Sequence, residues 1–162
     1  MSVLVPMPSA SFPAFLEVAI ANYADENIAS GRWSAEAALE LSRAEHKRLL
    51  PEGVVSKDNH FFEVHDPKTD AVVGSLWLGV QNKTGVPLGY VLQIGIHPAH
   101  RRQGHATRAL KELESVVREL GFASIGLNVF GFNIGAQSLY SSLGYEVVGI
   151  SMRKSLSNEG IC

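Results

Sequence analysis

Apolar positions along the chain change period several times, and each change marks an element. Phe12, Phe15, Leu16, Ala19, Ile20, Tyr23 and Asn27/Ile28 recur at the spacing of one helix face. Ser9 or Ser11 is placed to cap this helix, and Ser30-Gly31 to end it. Before it, residues 3–7 read as a short strand, with Pro6 suiting an edge or strand end. After it, Ser34 opens a second helix with Glu36 in its first turn and Lys47 and Arg48 near its end, each matching the helix dipole. Its inner face, Ala35, Ala38, Leu39, Ser42 and Leu49, is small and weakly apolar, which predicts loose packing or a groove lining.

The period then drops to two. Phe62 and Val64 alternate with Phe61, Glu63 and His65, and residues 66–70 make a turn by composition. Val72, Gly74, Leu76, Leu78 and Val80 alternate through the next strand, with Trp77 on the opposite face. A polar loop over 81–87 leads to Tyr90, Leu92, Ile94 and Ile96. Connections this short predict an antiparallel meander. Pro98 stops the third strand, since it has no N–H for a ladder. A long helix follows, with Ala106, Ala109, Leu110, Leu113, Val116, Val117 and Leu120 in one stripe and Gly121 at its end. Ile125, Leu127 and Val129 form a strand that should lie parallel to the Tyr90 strand, because a helix joins the two. Residues 133–143 make a short helix with Ala136, Leu139, Tyr140 and Leu143 inward. Residues 145–152 alternate again as a last strand. The order is β-α-α-β-β-β-α-β-α-β, a mixed-sheet α/β (α+β) chain, read as a single domain over 1–155 with a frayed tail over 156–162.

Composition narrows the function. The 46% hydrophobic and 19% charged content suits a globular domain. A net charge of −2 supplies no basic field for nucleic acid. The lone Cys162 leaves no internal disulfide and no cysteine metal cluster. No apolar run approaches the ~18 residues of a spanning helix, and the first ten residues lack a secretory pattern. The expectation is a cytoplasmic protein without a metal and without a membrane or nucleic-acid partner.

The chemistry concentrates where the Tyr90 strand meets the long helix. A strand, a small-residue turn and a helix N-terminus together suit a phosphate, because the first helical N–H groups lack partners and the dipole is positive there. Arg101 and Arg102 add permanent charge, and Gly104 and Ala106 keep the turn open. The plain alternative is a solvated basic corner.

Arg101-x-x-Gly104-x-Ala106, between strand and helix, resembles the acetyl-CoA signature of the GCN5-related N-acetyltransferases, the GNAT superfamily. A second stretch, Asn133-x-x-Ala136-x-x-x-Tyr140-x-x-x-Gly144-Tyr145, resembles the family's later motif, and the element order is similar throughout. Tyr23-Ala-Asp-Glu-Asn27, Gly31-x-Trp33 and Leu49-Leu-Pro51 look like a bacterial branch of unassigned substrate. The resemblance implies splayed central parallel strands and an acetyl group moved from acetyl-CoA to a primary amine by direct transfer. It implies a diphosphate held by Arg101, Arg102, Gln103, Gly104, His105, Ala106 and Thr107, and a pantetheine arm along Ile94, Gly95 and Ile96. Gly95 itself is consistent with a bulge or close backbone approach. Asn133 would hold the cofactor arm or cap the helix. Tyr140 would protonate the leaving thiolate, or be a core tyrosine. The family's strand carboxylates fall here on Gln93 and Asn128, amides that accept no proton, so either a water chain does the work or the base comes from elsewhere, with Glu26, Glu36 and Glu40 as the candidates. The acceptor is a small-molecule or peptide amine, and a homodimer is possible, as such proteins commonly dimerise. The competing reading is an acyl-CoA sensor without catalysis. No nucleotide-binding glycine motif supports another enzyme class.

Overall fold

The structure is a computed structural model describing residues 2–83 and 85–156. Among these, the strands are β1 (Leu4–Pro6), β2 (His60–His65), β3 (Val72–Gln81), β4 (Leu88–Ile96) and β5 (Ile125–Leu127). The helices are α1 (Phe12–Ala29), α2 (Ala38–Leu49), α3 (His105–Glu119) and α4 (Ile134–Ser142). The sheet runs in chain order, β1-β2-β3-β4-β5, antiparallel until β5, which lies parallel to β4. This is the expected mixed sheet.

Both faces of the sheet are covered. On one face, Leu76, Leu78, Val64, Val73 and Val91 pack against Ala109, Leu110, Leu113 and Val117 of α3. On the other, Phe61 and Trp77 pack against Phe12, Phe15 and Ala19 of α1. The Phe15, Phe61 and Trp77 rings sit 5.5–6.5 Å apart, mostly edge-on, the arrangement that the ring quadrupoles favour. Glu112 on α3 accepts the N–H groups of Val3 and Leu4 at 2.8 and 2.6 Å, bolting the start of β1 to the helix behind it.

Two bulges interrupt the expected alternation. Val64 pairs with Gly74 and His65 with Val72, so Val73 is the extra residue; it turns into the core and leaves Val72 exposed. Trp77 pairs with Gln93 and Leu78 with Val91, so Leu92 is extra in β4. It leaves the core, and Val91 takes the inward place. The bulge thus falls at Leu92 rather than at Gly95.

The second helix starts at Ala38, because Ser34 opens a turn in which its Oγ accepts the Ala37 N–H at 3.3 Å. Its buried face is Ala38, Ser42 and His46, while Leu39 is exposed. No side chain caps α1; Pro8 and residues 9–11 form a 3-10 turn instead. The last strand, expected over 145–152, is not in the sheet. Val147, Val148, Ile150 and Met152 are 79–100% exposed, and among the described residues no strand lies beside them to complete a ladder. Of the tail expected over 156–162, only Leu156 lies within the described residues. Among the described residues no helix is long and apolar enough to cross a membrane.

Candidate functional site

The β4–β5 ladder ends after three pairs, Gly89 with Ile125, Tyr90 with Gly126 and Val91 with Leu127. The next residue of β4 is the bulge at Leu92. A bulge bends its strand and strengthens the twist, so β4 follows β3 while β5 departs. Among the described residues, no strand pairs with the side of β4 that faces away from β3 over residues 93 to 96. The parting opens a cleft of about 400 Å³. Residues 91–95 form one wall and residues 127–130 the other. The C-terminal half of α1 contributes Tyr23, Asp25 and Glu26, α2 contributes His46, and α4 contributes Ala136 and Tyr140, with Asn133 at its cap.

At one end of β4 the chain makes the basic turn. Arg102 and Gly104 both take left-handed backbone, at φ 61° and 80°. That conformation folds the turn under the start of α3 and leaves the N–H groups of His105, Ala106 and Thr107 without intrahelical acceptors. Arg101 reaches back, its Nε donating to the Ile96 carbonyl at 2.9 Å, and lines the cleft. Arg108 folds over the turn, its Nη2 donating to the Gln103 carbonyl at 2.9 Å and to His105 Nδ1 at 2.8 Å. A side chain at Gly104 would meet Arg108 Nη1 at 3.0 Å. The turn is therefore open to backbone approach and flanked by three guanidinium groups.

Two titratable groups meet in the cleft. Burial by the cleft walls pushes the Glu26 carboxyl above the usual glutamate range, although the side chain still opens to solvent. Burial, and then the negative charge of Glu26, raise the Tyr140 phenol. Tyr145 packs beside it, ring centroids 5.7 Å apart, and burial drives its pKa up to about 12. Tyr140 also touches the α3-side core with Leu139 and Leu143, so its body is packed while its ring borders the cleft.

Of the sequence-derived candidates, Ile94, Gly95, Arg101, Asn133, Tyr140, Glu26, Gln93 and Asn128 line the cleft together. Arg102, Gln103 and Gly104 are exposed at the basic turn, His105 is buried beneath it, and Ala106 and Thr107 lie in the first turn of α3. Ile96 contributes the carbonyl that Arg101 holds. Glu36 and Glu40 are exposed and are not part of the lining. Asn133 does cap α4, its Oδ1 accepting the Ala136 N–H at 3.2 Å, and it lines the cleft as well. Gln93 accepts a long hydrogen bond from Ser75 Oγ at 3.4 Å.

His46, Asp25 and Arg108 were not among the candidates. His46 lies four residues after Ser42 and eight after Ala38, so the inner face of α2 passes through it. Its Nδ1 donates to the Ser42 carbonyl at 2.8 Å, since a carbonyl only accepts, and its ring sits 5.7 Å from both Tyr23 and Trp77. Gln137 braces the cleft loop, donating to the Phe130 and Gly131 carbonyls at 3.2 and 3.1 Å.

Comparison with known proteins gives the same class. The sequence profile of the Acetyltransferase (GNAT) family matches residues 26–145. The chain is 32% identical over 153 residues to YdgE of Bacillus subtilis (strain 168), described as an uncharacterized N-acetyltransferase, covering 94% of this chain and 97% of that one. YycN of the same organism, described likewise, is 29% identical over the same shares. The crystal structure of YycN superposes with a TM-score of 0.88, covering 95% of this chain and 98% of that one. An aminoglycoside 6′-N-acetyltransferase from Acinetobacter haemolyticus shares the fold, at a TM-score of 0.61, 22% identity and coverage of 97% and 99%. The chain belongs to the GNAT family of acetyltransferases. It is an N-acetyltransferase, as its curated relatives are named.

Proposed function

We propose that this enzyme moves an acetyl group from acetyl-CoA directly to a primary amine while both are bound, with Glu26 as base and Tyr140 as acid. The observation that carries the proposal is that this carboxyl and this phenol share one cleft, beside the unpaired edge of β4.

The residues fit the donor. The open left-handed turn and the first N–H groups of α3 suit a diphosphate, and Arg101, Arg102 and Arg108 supply the countercharge. The free edge of residues 93–96 offers amide and carbonyl groups to an extended amide-bearing arm, as a neighbouring strand would. When bound, acetyl-CoA supplies an activated thioester.

The rest falls to the chain's own side chains. Asp25 and Glu26 place negative charge in the cleft, and the aromatic rings of Tyr23 and Trp77 border it. That combination attracts an ammonium group. An ammonium must lose a proton before it can attack. Glu26 is the base, and its raised pKa makes it a better proton acceptor than a solvated glutamate. Tyr140 carries a proton throughout the neutral range, because burial and Glu26 hold its pKa up, so its hydroxyl donates to the departing thiolate. Gln93 and Asn128 contact the reactants as amides and move no proton.

The test is a thiol-release assay over a panel of amines. Glu26→Gln and Tyr140→Phe should each lower turnover by about 10²–10⁴, with acetyl-CoA affinity little changed. The acid limb of the wild-type pH–rate profile should lie above the ordinary carboxylate range and vanish in Glu26→Gln. Turnover is lost as pH falls through that limb, because the base must be ionised. Acetyl-CoA binding without thiol release for any amine would favour the sensor reading. Unchanged turnover in either variant would remove that residue from the mechanism.

A further inference from the structure

Among the described residues, three buried polar atoms are sealed from solvent without a hydrogen-bond partner: His105 Nε2, Arg108 Nε and the Tyr145 hydroxyl. His46 is buried as deeply as His105, at 5% and 4% exposure, yet its Nε2 is not one of the three. That nitrogen has no hydrogen-bond partner among the described residues either, since the ring bonds only through Nδ1, to the Ser42 carbonyl at 2.8 Å. An unpartnered nitrogen that is not sealed is open, and the space that the ring lines is the cleft. A neutral imidazole has one donor nitrogen and one acceptor. Nδ1 holds the proton, because the carbonyl can only accept, so Nε2 turns a lone pair to the cleft.

The ring is held in place from every side. Ser42 Oγ donates to the Ile20 carbonyl at 2.7 Å and fixes α2 on α1. Tyr23 and Trp77 flank the imidazole, and both are tethered in turn. Trp77 Nε1 donates to Asn59 Oδ1 at 2.8 Å, and Arg32 Nη1 donates to the Tyr23 hydroxyl at 3.3 Å. Trp77 faces Gln93 across the ladder, and Gln93 follows the bulge where β4 leaves β5. His46 therefore stands beside the parting of the strands, on the sheet face that carries α1. Packing alone does not ask for a histidine there. A leucine or phenylalanine would fill the space between two rings without burying a polar atom, which costs unless that atom is bonded.

We infer that His46 contacts the acceptor, its Nε2 accepting an N–H of the amine that attacks the thioester; this rests on amine transfer in the same cleft. Glu26 reaches that space from α1. A carboxylate and a bare imidazole nitrogen both accept, and an ammonium head brings three N–H donors to them. One proton goes to Glu26 and becomes its carboxylic acid proton. The amine keeps two N–H groups, and His46 holds one of them. Fixing that N–H aims the freed nitrogen lone pair, which is the orientation that the attack needs. His46 takes no proton in this step. It acts as an orienting acceptor, and it favours a head group that still has an N–H to give.

Nuclear magnetic resonance of the imidazole nitrogens tests this without turnover. The native chain, with isotope-labelled histidine and saturated with CoA so that no acetyl group can move, should show His46 protonated at Nδ1 and bare at Nε2. The resonance is assigned by its loss in His46→Gln. Ethylamine should shift Nε2, whereas tetramethylammonium, an equal charge without an N–H, should not. Kinetics give a second readout. His46→Phe keeps a ring between Tyr23 and Trp77 but offers no acceptor. In the thiol-release assay it should raise KM for the fastest amine of the panel about 10- to 100-fold, with acetyl-CoA affinity unchanged. His46→Gln, whose amide oxygen accepts again, should recover part of the loss. A proton on Nε2, no movement with ethylamine, or an equal response to both cations overturns the inference. So does an unchanged KM in His46→Phe, or an equal loss of acetyl-CoA affinity, which is the mark of a packing role. If the phenylalanine variant does not fold, the nitrogen titration decides. If the native enzyme releases no thiol with any amine, amine transfer itself fails, and a shift of Nε2 by ethylamine alone still places an amine head on His46.

Discussion

Glu26 looks like any surface acid of a helix when read in order, and lies in the wall of the cleft when read in space. Position 26 lies on the side of α1 that reaches the cleft, three residues past Tyr23 and one turn before the helix ends. Glu36 and Glu40 have the same chemistry but face solvent, and nothing in their neighbouring residues distinguishes them. A second residue, His65, ties pH to stability. It is mostly buried and bonds Asp70 at 2.9 Å and Glu63 at 3.3 Å. The hydrogen bond to Asp70 is the largest cause of its raised pKa. A histidine held above its unfolded value contributes stability below about pH 6.5 and loses it as pH rises through the folded pKa. The melting temperature of the native chain should therefore fall over that window more than that of His65→Asn. The difference should be about 0.2–1 kcal/mol, since Asp70 is well exposed and screened. Parallel melting curves across pH would remove His65 from that role.

Strand β4 is the element on which the others depend. It carries the bulge that parts it from β5, the unpaired edge, and the approach to the basic turn. Its position is set partly by β3. A side chain on Gly74 would come within 2.2 Å of the Gly95 carbonyl and 3.1 Å of Ile96 Cα, which are backbone atoms that cannot step aside alone. Gly95 is different: a side chain there would meet only the flexible end of Gln93, at 3.1 Å. Gly74→Ala should then lower stability by about 1–3 kcal/mol through forced backbone shifts. Gly95→Ala should cost less, as denaturant midpoints for the two variants would show. Equal midpoints would mean that the two strands yield more easily than their spacing indicates. Of the two glycines, the steric demand falls on Gly74, across the ladder from Gly95.

At the scale of the whole molecule, the cleft gathers residues from α1, α2, β4, β5 and α4, the first and last of them more than a hundred residues apart in order. A ligand spanning it should stabilise the whole fold. Acetyl-CoA at a hundred times its dissociation constant should add about 2.7 kcal/mol, or roughly 5–10 °C in melting temperature. Gly104→Glu, which sets an anion in the basic turn, should abolish the shift. Gly104→Asn, which tolerates left-handed backbone, should keep part of it. A full shift in Gly104→Glu would move the diphosphate away from that turn. The sequence by itself determined the helices, the meander, the parallel return of β5 and the strand–turn–helix at residues 90–107. Each of these is written in a local period, a proline or a glycine. Tertiary structure alone decided the bulges at Val73 and Leu92, which arise from register against a neighbouring strand, and that Glu26 rather than Glu36 lines the cleft. Among the described residues it also left 145–152 without a ladder. Alternation declares that a segment suits a strand, but a strand exists only where another backbone lies beside it, and burial is a property of pairs of segments that no single stretch of residues contains.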